Sequence, residues 1–184
     1  MPALTPLAAV ALGLLAERPM HPYEMYQTML HRREDRLVKV RPGSLYHTVE
    51  RLARDGHAAV RGTEREGNRP ERTTYEITDA GHAALRERLV ETLSTPGDEY
   101  PGFPLALSGA GNLAADEVAA LLRARLPHLK DHRNAIVDGG RAARAKGVEE
   151  RYLLDISYQR AMLDAEISWI EDFLDRLESG RLPW

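Results

Sequence analysis

Residues 40–56 read Val40-Arg41-Pro42-Gly43-Ser44-Leu45-Tyr46-His47-Thr48-Val49-Glu50-Arg51-Leu52-Ala53-Arg54-Asp55-Gly56, and every neighbouring segment takes its meaning from them. Pro42 suits the first position of a helix, where its missing N–H costs nothing. Leu45, Val49 and Leu52 recur at i, i+4 and i+7, so one stripe faces a core. Gly56 follows as the stop, because glycine enters the left-handed region without steric cost. The opposite face is expected to carry Ser44, His47, Thr48 and Arg51. A short helix with one apolar anchor and hydrogen-bonding groups outward meets the needs of a helix lying in a DNA major groove. An ordinary amphipathic helix with a solvated face shows the same pattern. The surrounding chain separates the two.

A length of 184 residues accommodates one large domain or two small ones, and 43% apolar content is ordinary for a globular protein. The longest apolar run, Leu7 to Ala16, is too short for a membrane span, contains Gly13 and lacks a basic leader. No membrane partner is expected, and a cytoplasmic location follows by default. The absence of cysteine excludes disulfides, thiol redox switches and zinc sites built on thiolates. A net charge of −3 argues against indiscriminate polyanion binding, yet residues 36–72 carry nine Arg or Lys against five acids, a local excess of +4. That distribution fits a polyanion met by one face only.

In chain order, residues 4–16 form a helix apolar on more than one side, with Thr5-Pro6 as its start and Val10 and Leu12 off the main face. His21-Pro22 opens a second helix with Tyr23, Tyr26 and Leu30 inward. A polar connector over 34–40 leads into the Pro42 helix, giving the order of a helix-turn-helix. Strands follow at 58–63 and 73–77, joined by the arginine- and turn-rich segment 64–70, which together read as a wing. Thr78 caps a helix over 79–94 that places Leu85, Leu89 and Leu93 on one face. The Gly/Pro-rich stretch 95–112 is the expected boundary, although its apolar residues suit packing across the junction better than a free linker. The next helix is expected to kink or break near 124–126, because Pro127 removes a backbone hydrogen bond. Gly139-Gly140 and Gly147 weaken its far end. The last helix, 148–177, spaces Leu153, Ile156, Arg160, Leu163, Ile167, Ile170, Leu174 and Leu177 at alternating threes and fours, a coiled-coil seam. Met162, Trp169 and Phe173 add a second stripe. Packing against the preceding helix of the same chain would use one stripe, and homodimerisation is the natural outlet for two.

Several of these segments resemble a known family. Pro42-Gly43-Ser44-Leu45-Tyr46, with Val49-Glu50-Arg51-Leu52 and Asp55-Gly56, is similar to the recognition-helix signature of the PadR (phenolic acid decarboxylase repressor) family of transcriptional regulators. Leu7 to Leu15 with Pro22-Tyr23-Glu24-Met25, and Tyr75-Glu76-Ile77-Thr78-Asp79-Ala80-Gly81, resemble other parts of the same family. The region from Tyr100-Pro101-Gly102-Phe103-Pro104 onward resembles the virulence-activator-type C-terminal domain of its longer members. The resemblance implies a dimeric winged-helix transcription factor, most often a repressor, relieved in some members by a small, often aromatic, effector.

The expected fold is therefore mainly α with a small β wing. It has a winged helix-turn-helix DNA-binding domain at 1–95, a junction at 96–112 and a helical dimerisation domain at 113–184. Two copies of the Pro42 helix would enter successive major-groove faces about 34–36 Å apart on a pseudo-palindromic operator. Ser44 and Tyr46 would bond phosphate or an adjacent base edge, although a tyrosine here can equally pack its ring and wet its hydroxyl. His47 and Arg51 would reach base edges, and Lys39, Arg41, Arg65, Arg69 and Arg72 would neutralise phosphates. Leu153, Ile156, Leu163, Ile167, Ile170, Leu174 and Leu177 would form the dimer interface, and Tyr100, Phe103, Tyr158 and Trp169 would line an effector pocket.

Other functional classes have less to offer. No phosphate-cradling glycine loop, nucleophile elbow or cysteine points to an enzyme, and no cofactor is implied. His128 and His132 have the i, i+4 spacing of metal ligands, but no third ligand accompanies them, so no metal is expected. A winged-helix protein-interaction module that binds no DNA is the alternative, kept open by Glu50, Glu64, Glu66 and Glu71 near the basic face.

Overall fold

A computed structural model describes residues 4–64, 72–97 and 101–184. The chain divides into two compact units, Met1–Asp98 and Glu99–Trp184. Among the described residues no helix is long and apolar enough to cross a membrane.

In the first unit, α1 (Pro6–Glu17) starts where Thr5 Oγ1 accepts from the Ala8 N–H at 3.3 Å. Ala8, Ala11, Leu12, Leu14 and Leu15 are all buried, so Leu12, off the expected face, is as enclosed as the rest. Such a helix needs partners on several sides, and it finds them in α3 (Pro42–Arg54), in the wing and in the helix that follows the wing, while α2 (Pro22–His31) packs on α3. On α2 the buried face is Pro22, Met25 and Met29; of the residues expected inward, Tyr26 packs half-buried against this core, Leu30 is half-buried and Tyr23 turns out. Tyr23 is 53% exposed, a correction with a simple cause: the flexible thioethers fill the core, and the phenol keeps its hydroxyl in water. Leu45, Val49 and Leu52 of α3 close this core from the other side, as their spacing predicts.

Gly56, at φ +80°, ends the helix in the left-handed conformation that favours glycine. The chain then enters β1 (Ala58–Glu64), which pairs antiparallel with β2 (Arg72–Ile77), Ala58 opposite Ile77, with a register irregularity between Val60 and Gly62. Met20 adds a rung beyond the hairpin, exchanging backbone hydrogen bonds with Tyr75 at 3.0 Å in both directions. The wing root is thus stitched to the turn between α1 and α2.

Thr78 then caps α4 (Asp79–Ser94): its hydroxyl accepts from the Gly81 N–H at 3.0 Å and donates to the Gly56 carbonyl at 2.7 Å. The α4 backbone presses so closely on the chain after α3 that a Cβ at Gly81 would lie 2.0 Å from the His57 carbonyl oxygen. Leu85 packs against the core, whereas Leu89 and Leu93 on the same face are exposed.

In the second unit, α5 (Gly102–Ser108) occupies the segment expected to be a junction, and Phe103 packs within this unit. Helix α6 (Ala115–Ala145) passes through Pro127 unbroken, contrary to a break there. The proline removes only the bond its N–H would give Arg123. The flanking Leu126 and Leu129 are held by packing against α7 (Leu154–Glu178), which outweighs that loss. Gly140 is likewise not a weak end but a contact point, where an added Cβ would lie 3.0 Å from Ile156 Cγ2.

The two helices run antiparallel. Val118, Ala119, Leu122 and Leu129 of α6 enclose Ile167, Ile170 and Leu174 of α7. Arg125–Glu166 at 2.8 Å, Lys130–Glu171 at 2.7 Å, Arg133–Asp164 at 3.4 Å and Arg123–Glu178 tie their edges. Such exposed pairs set register and add at most about 1 kcal/mol each.

This packing corrects the expected dimer seam. Leu153, Ile167, Ile170 and Leu174 are buried within their own subunit, and Leu163 and Leu177 pack at the edge of the same core. Ile156 lies against Gly140 of α6. A three–four repeat requires a covering helix without saying which chain supplies it. Here α6 supplies it.

Candidate nucleic-acid interface

The outward side of α3 is built by the core side. With Leu45, Val49 and Leu52 fixed inward, helical geometry turns His47, Glu50 and Arg54, at i, i+3 and i+7, to the opposite face. All three are exposed, as are Lys39 and Arg41 on the approach to the helix. One expected member is missing from that face. Thr48 is buried, and its hydroxyl donates to the Ser44 carbonyl at 2.8 Å, which lets a small polar residue sit beside the apolar stripe.

Ser44 is exposed but locally engaged: its Oγ accepts from the Arg41 N–H at 3.3 Å and donates to the Arg41 carbonyl at 3.0 Å. It secures the helix start, leaving one acceptor lone pair. Tyr46 is half-buried, with its ring edge-on to His21, centroids 5.7 Å apart, so the packing role weighed from the sequence is present. Arg51 leaves the outward face for α1, where its guanidinium donates to Thr5 Oγ1 at 3.4 Å. The capping oxygen of α1 and the side chain of α3 are thus linked at the solvent edge.

The wing contributes Arg72, exposed at the start of β2, opposite Glu64 at the loop end of the hairpin. Its charge and the partial burial of His21 hold that imidazole below its ordinary pKa, burial being the larger cause. His21 is therefore neutral near pH 7, and its Nδ1 accepts from the Tyr23 N–H at 3.1 Å, capping α2. Arg61 pairs across the strands with Glu76 at 3.7 Å, so part of the basic excess of this segment is already matched. Arg65 and Arg69, expected at the wing tip, lie outside the described residues.

Sequence reasoning missed the central place of Glu50 and the alignment of Arg54 with His47. Both follow from strict 3.6-residue periodicity, which also moves Arg51 and Thr48 toward the flanks. The His47 ring nitrogen Nδ1 lies 3.5 Å from the Glu50 carboxylate. Burial and the Glu50 charge together push the Tyr75 phenol above its usual pKa, burial first.

The expected effector residues separate. Phe103 stands edge-on to Trp169 at 6.3 Å, Trp169 stacks on Phe173 at 5.4 Å, and Phe173 meets Trp184 edge-on at 6.1 Å. Trp184 donates its indole N–H to the Leu113 carbonyl at 2.9 Å. An open cavity of about 450 Å³ is lined by Leu107, Ala110, Gly111, Trp169, Phe173, Pro183 and Trp184. Tyr158 is not part of this array but exposed elsewhere on α7, and Tyr100 lies outside the described residues. Among the described residues no group of three or more His, Cys, Asp or Glu could hold a metal ion.

Residues 11–87 match the family model described as transcriptional regulator PadR-like family. No curated protein sequence matches the chain. Among solved structures, Bacillus subtilis PadR in complex with operator DNA is similar at 19% identity, covering 95% of this chain and 98% of that one, with a TM-score of 0.80. The same Bacillus subtilis protein in complex with p-coumaric acid is 17% identical over 94% of this chain and 98% of that one, at 0.75. The Vibrio cholerae virulence activator AphA is 16% identical over 95% and 99%, at 0.71. These likenesses establish the winged-helix fold, as α1–α4 and the β1–β2 hairpin already indicated. The family-model match over residues 11–87 lies within the unit that carries this winged helix.

Proposed function

We propose that the chain is a homodimeric, sequence-specific DNA-binding regulator that acts as a repressor at a pseudo-palindromic operator, in the cytoplasm. The observation that carries this reading is the outward face of α3, held by a buried apolar stripe, with Lys39 and Arg41 exposed on its approach and Arg72 exposed on the wing. In this mechanism α3 lies in the major groove, His47, Glu50 and Arg54 face the base edges, and Ser44 and Tyr46 meet the sugar–phosphate chain at the helix start. Arg51 reaches the backbone beside Thr5. The basic side chains on either side neutralise phosphates, which sets affinity and registers the helix without reading sequence. The complex of Bacillus subtilis PadR with operator DNA supports the same use of the fold.

Binding to the DNA upstream of the chain's own gene, followed by fluorescence polarisation at several salt concentrations, tests the reading. Tight binding with a steep salt dependence is expected, and Arg72→Gln should lower the log–log slope by about one unit per subunit. Affinity no higher than for unrelated DNA would refute sequence-specific binding and favour the protein-interaction module. An unchanged slope would remove Arg72 from the interface.

The pairing of subunits is assigned to the face of α7 turned away from α6. Leu154, Tyr158, Met162 and Ala165 follow one another at i, i+4, i+8 and i+11, all exposed, the first three by more than half. A second copy covers such a stripe with its own equivalent, as an isologous twofold contact requires.

A small aromatic effector is assigned to the cavity beside Trp169 and Trp184, a reading supported by the complex of Bacillus subtilis PadR with p-coumaric acid. These are the only two tryptophans in the sequence, so intrinsic fluorescence reports on this cavity alone. Titration with p-coumaric acid and related phenolics should quench the emission saturably and lower operator affinity. Linear, non-saturating quenching would dismiss the site.

A further inference from the structure

The acid at the centre of α3 is out of place on a surface meant for phosphates. Glu50 is exposed over 61% of its side chain and sits one turn after His47 and one turn before Arg54. Three other carboxylates of this unit are matched to arginines: Glu17 to Arg32 at 2.5 Å, Glu24 to Arg18, and Glu76 to Arg61. Glu50 instead faces the imidazole of His47 at 3.5 Å, and both groups turn away from the core. A negative charge in this position weakens every encounter with DNA unless a base supplies a donor to meet it.

From this position we propose that Glu50 is the residue that selects one base pair in each half-site, by accepting a hydrogen bond from the exocyclic amine of a cytosine. The inference rests on the DNA-binding reading of α3. The major-groove edges make the choice. Guanine offers N7 and O6, and thymine O4, all acceptors that repel a carboxylate; adenine offers an amine, but beside the acceptor N7. Cytosine alone presents a donor, N4, with no acceptor adjacent on that edge. The carboxylate therefore penalises three bases and rewards one. The same charge lowers affinity for arbitrary sequence, so discrimination comes from rejection as much as from attraction. His47 stands beside the carboxylate on the same face, and the cations at both ends of the helix supply the attraction that Glu50 withholds.

Selection from a randomised duplex library, with competition titrations on the selected site, tests this for the wild-type chain, Glu50→Gln and Glu50→Ala. Glu50 is exposed and touches no core residue of α3, so both variants should retain the wild-type circular dichroism. Wild type should select one invariant C·G pair per half-site and lose about ten-fold or more in affinity when that pair is changed. Glu50→Gln should move the preference there to adenine, whose N6 and N7 suit a carboxamide. Glu50→Ala should discriminate less than two-fold at that position and bind unrelated DNA more tightly than wild type. The same base preference in all three proteins would overturn the proposal while leaving the DNA-binding reading intact. No selected sequence for wild type would overturn that reading, and this inference with it.

Discussion

Gly81→Ala should destabilise the N-terminal unit by about 3 kcal/mol, the upper range for forcing extra atoms into a packed site. The ordinary remedy, rotation of a flexible neighbour, is not available. The nearest atom is a backbone oxygen, that of His57 at 2.0 Å from the added carbon, with Ile77 Cγ1 at 2.8 Å and the His57 carbonyl carbon at 3.0 Å. Relief requires the first turn of α4 to lift away from the chain after α3. That movement strains the Thr78 N–H to His57 carbonyl bond at 3.2 Å and the Thr78 hydroxyl bond to the Gly56 carbonyl. The end of α3, the start of β1 and the end of β2 are tied to this point, so α3 loosens with it. Gly43→Ala is the control, because an added Cβ there meets nothing within 4 Å, and alanine favours the helix by up to about 1 kcal/mol. Urea denaturation should separate the two variants widely, with Gly43→Ala at or above wild type. Equal midpoints for Gly81→Ala and wild type would refute the close approach of α4.

The second large effect belongs to the C-terminal unit. Met162→Asp should convert the protein to monomer at micromolar concentration and reduce operator affinity by about 100-fold. Met162 is exposed within its subunit, so the substitution removes nothing from the α6–α7 core. In the proposed dimer it brings two unpaired carboxylates together across a twofold axis, at a cost of several kcal/mol of desolvation and repulsion. The loss at the operator follows from effective concentration: two linked α3 helices bind as one unit, two separate chains do not. Sedimentation equilibrium and operator titration on the same preparation measure both consequences. Ile170→Ala provides the contrast. It opens the buried core between α6 and α7 and should lower the melting temperature, whereas Met162→Asp should leave it nearly unchanged for the isolated subunit. A dimeric Met162→Asp would place the interface elsewhere.

Local chemistry made the N-terminal unit legible. Pro42, the Leu45–Val49–Leu52 stripe and Gly56 each admit few conformations, and Thr78 before Asp79 is a cap by the reach of its hydroxyl alone. The winged-helix order followed from their succession, and the resemblance to the PadR family rested on the same residues.

What misled was assignment at the margins of a face. Thr48 is polar and lies beside the stripe, and only its bond to the Ser44 carbonyl shows why it can be buried. Tyr23 counts as apolar on most scales, yet Met25 and Met29 took the core.

The C-terminal unit was less legible for a different reason. Periodicity reports that a helix needs covering, not what covers it, so the Ile167–Ile170–Leu174 seam was assigned to a partner chain when α6 of the same chain encloses it. Pro127 carried a penalty that tertiary packing outweighs. Phe173 and Trp184 were not recognised beside Phe103 and Trp169, because the chain after α7 returns to the start of α6, and Trp184 bonds Leu113, 71 positions earlier in sequence.

Hydroxyl-radical footprinting of the chain on the DNA upstream of its own gene tests the central claim, that paired α3 helices enter adjacent major grooves. The account predicts two protected patches related by a twofold axis, their centres about one helical turn, 34–36 Å, apart, and both lost with Met162→Asp. Uniform protection without a dyad, or the same pattern from a monomer, would contradict it.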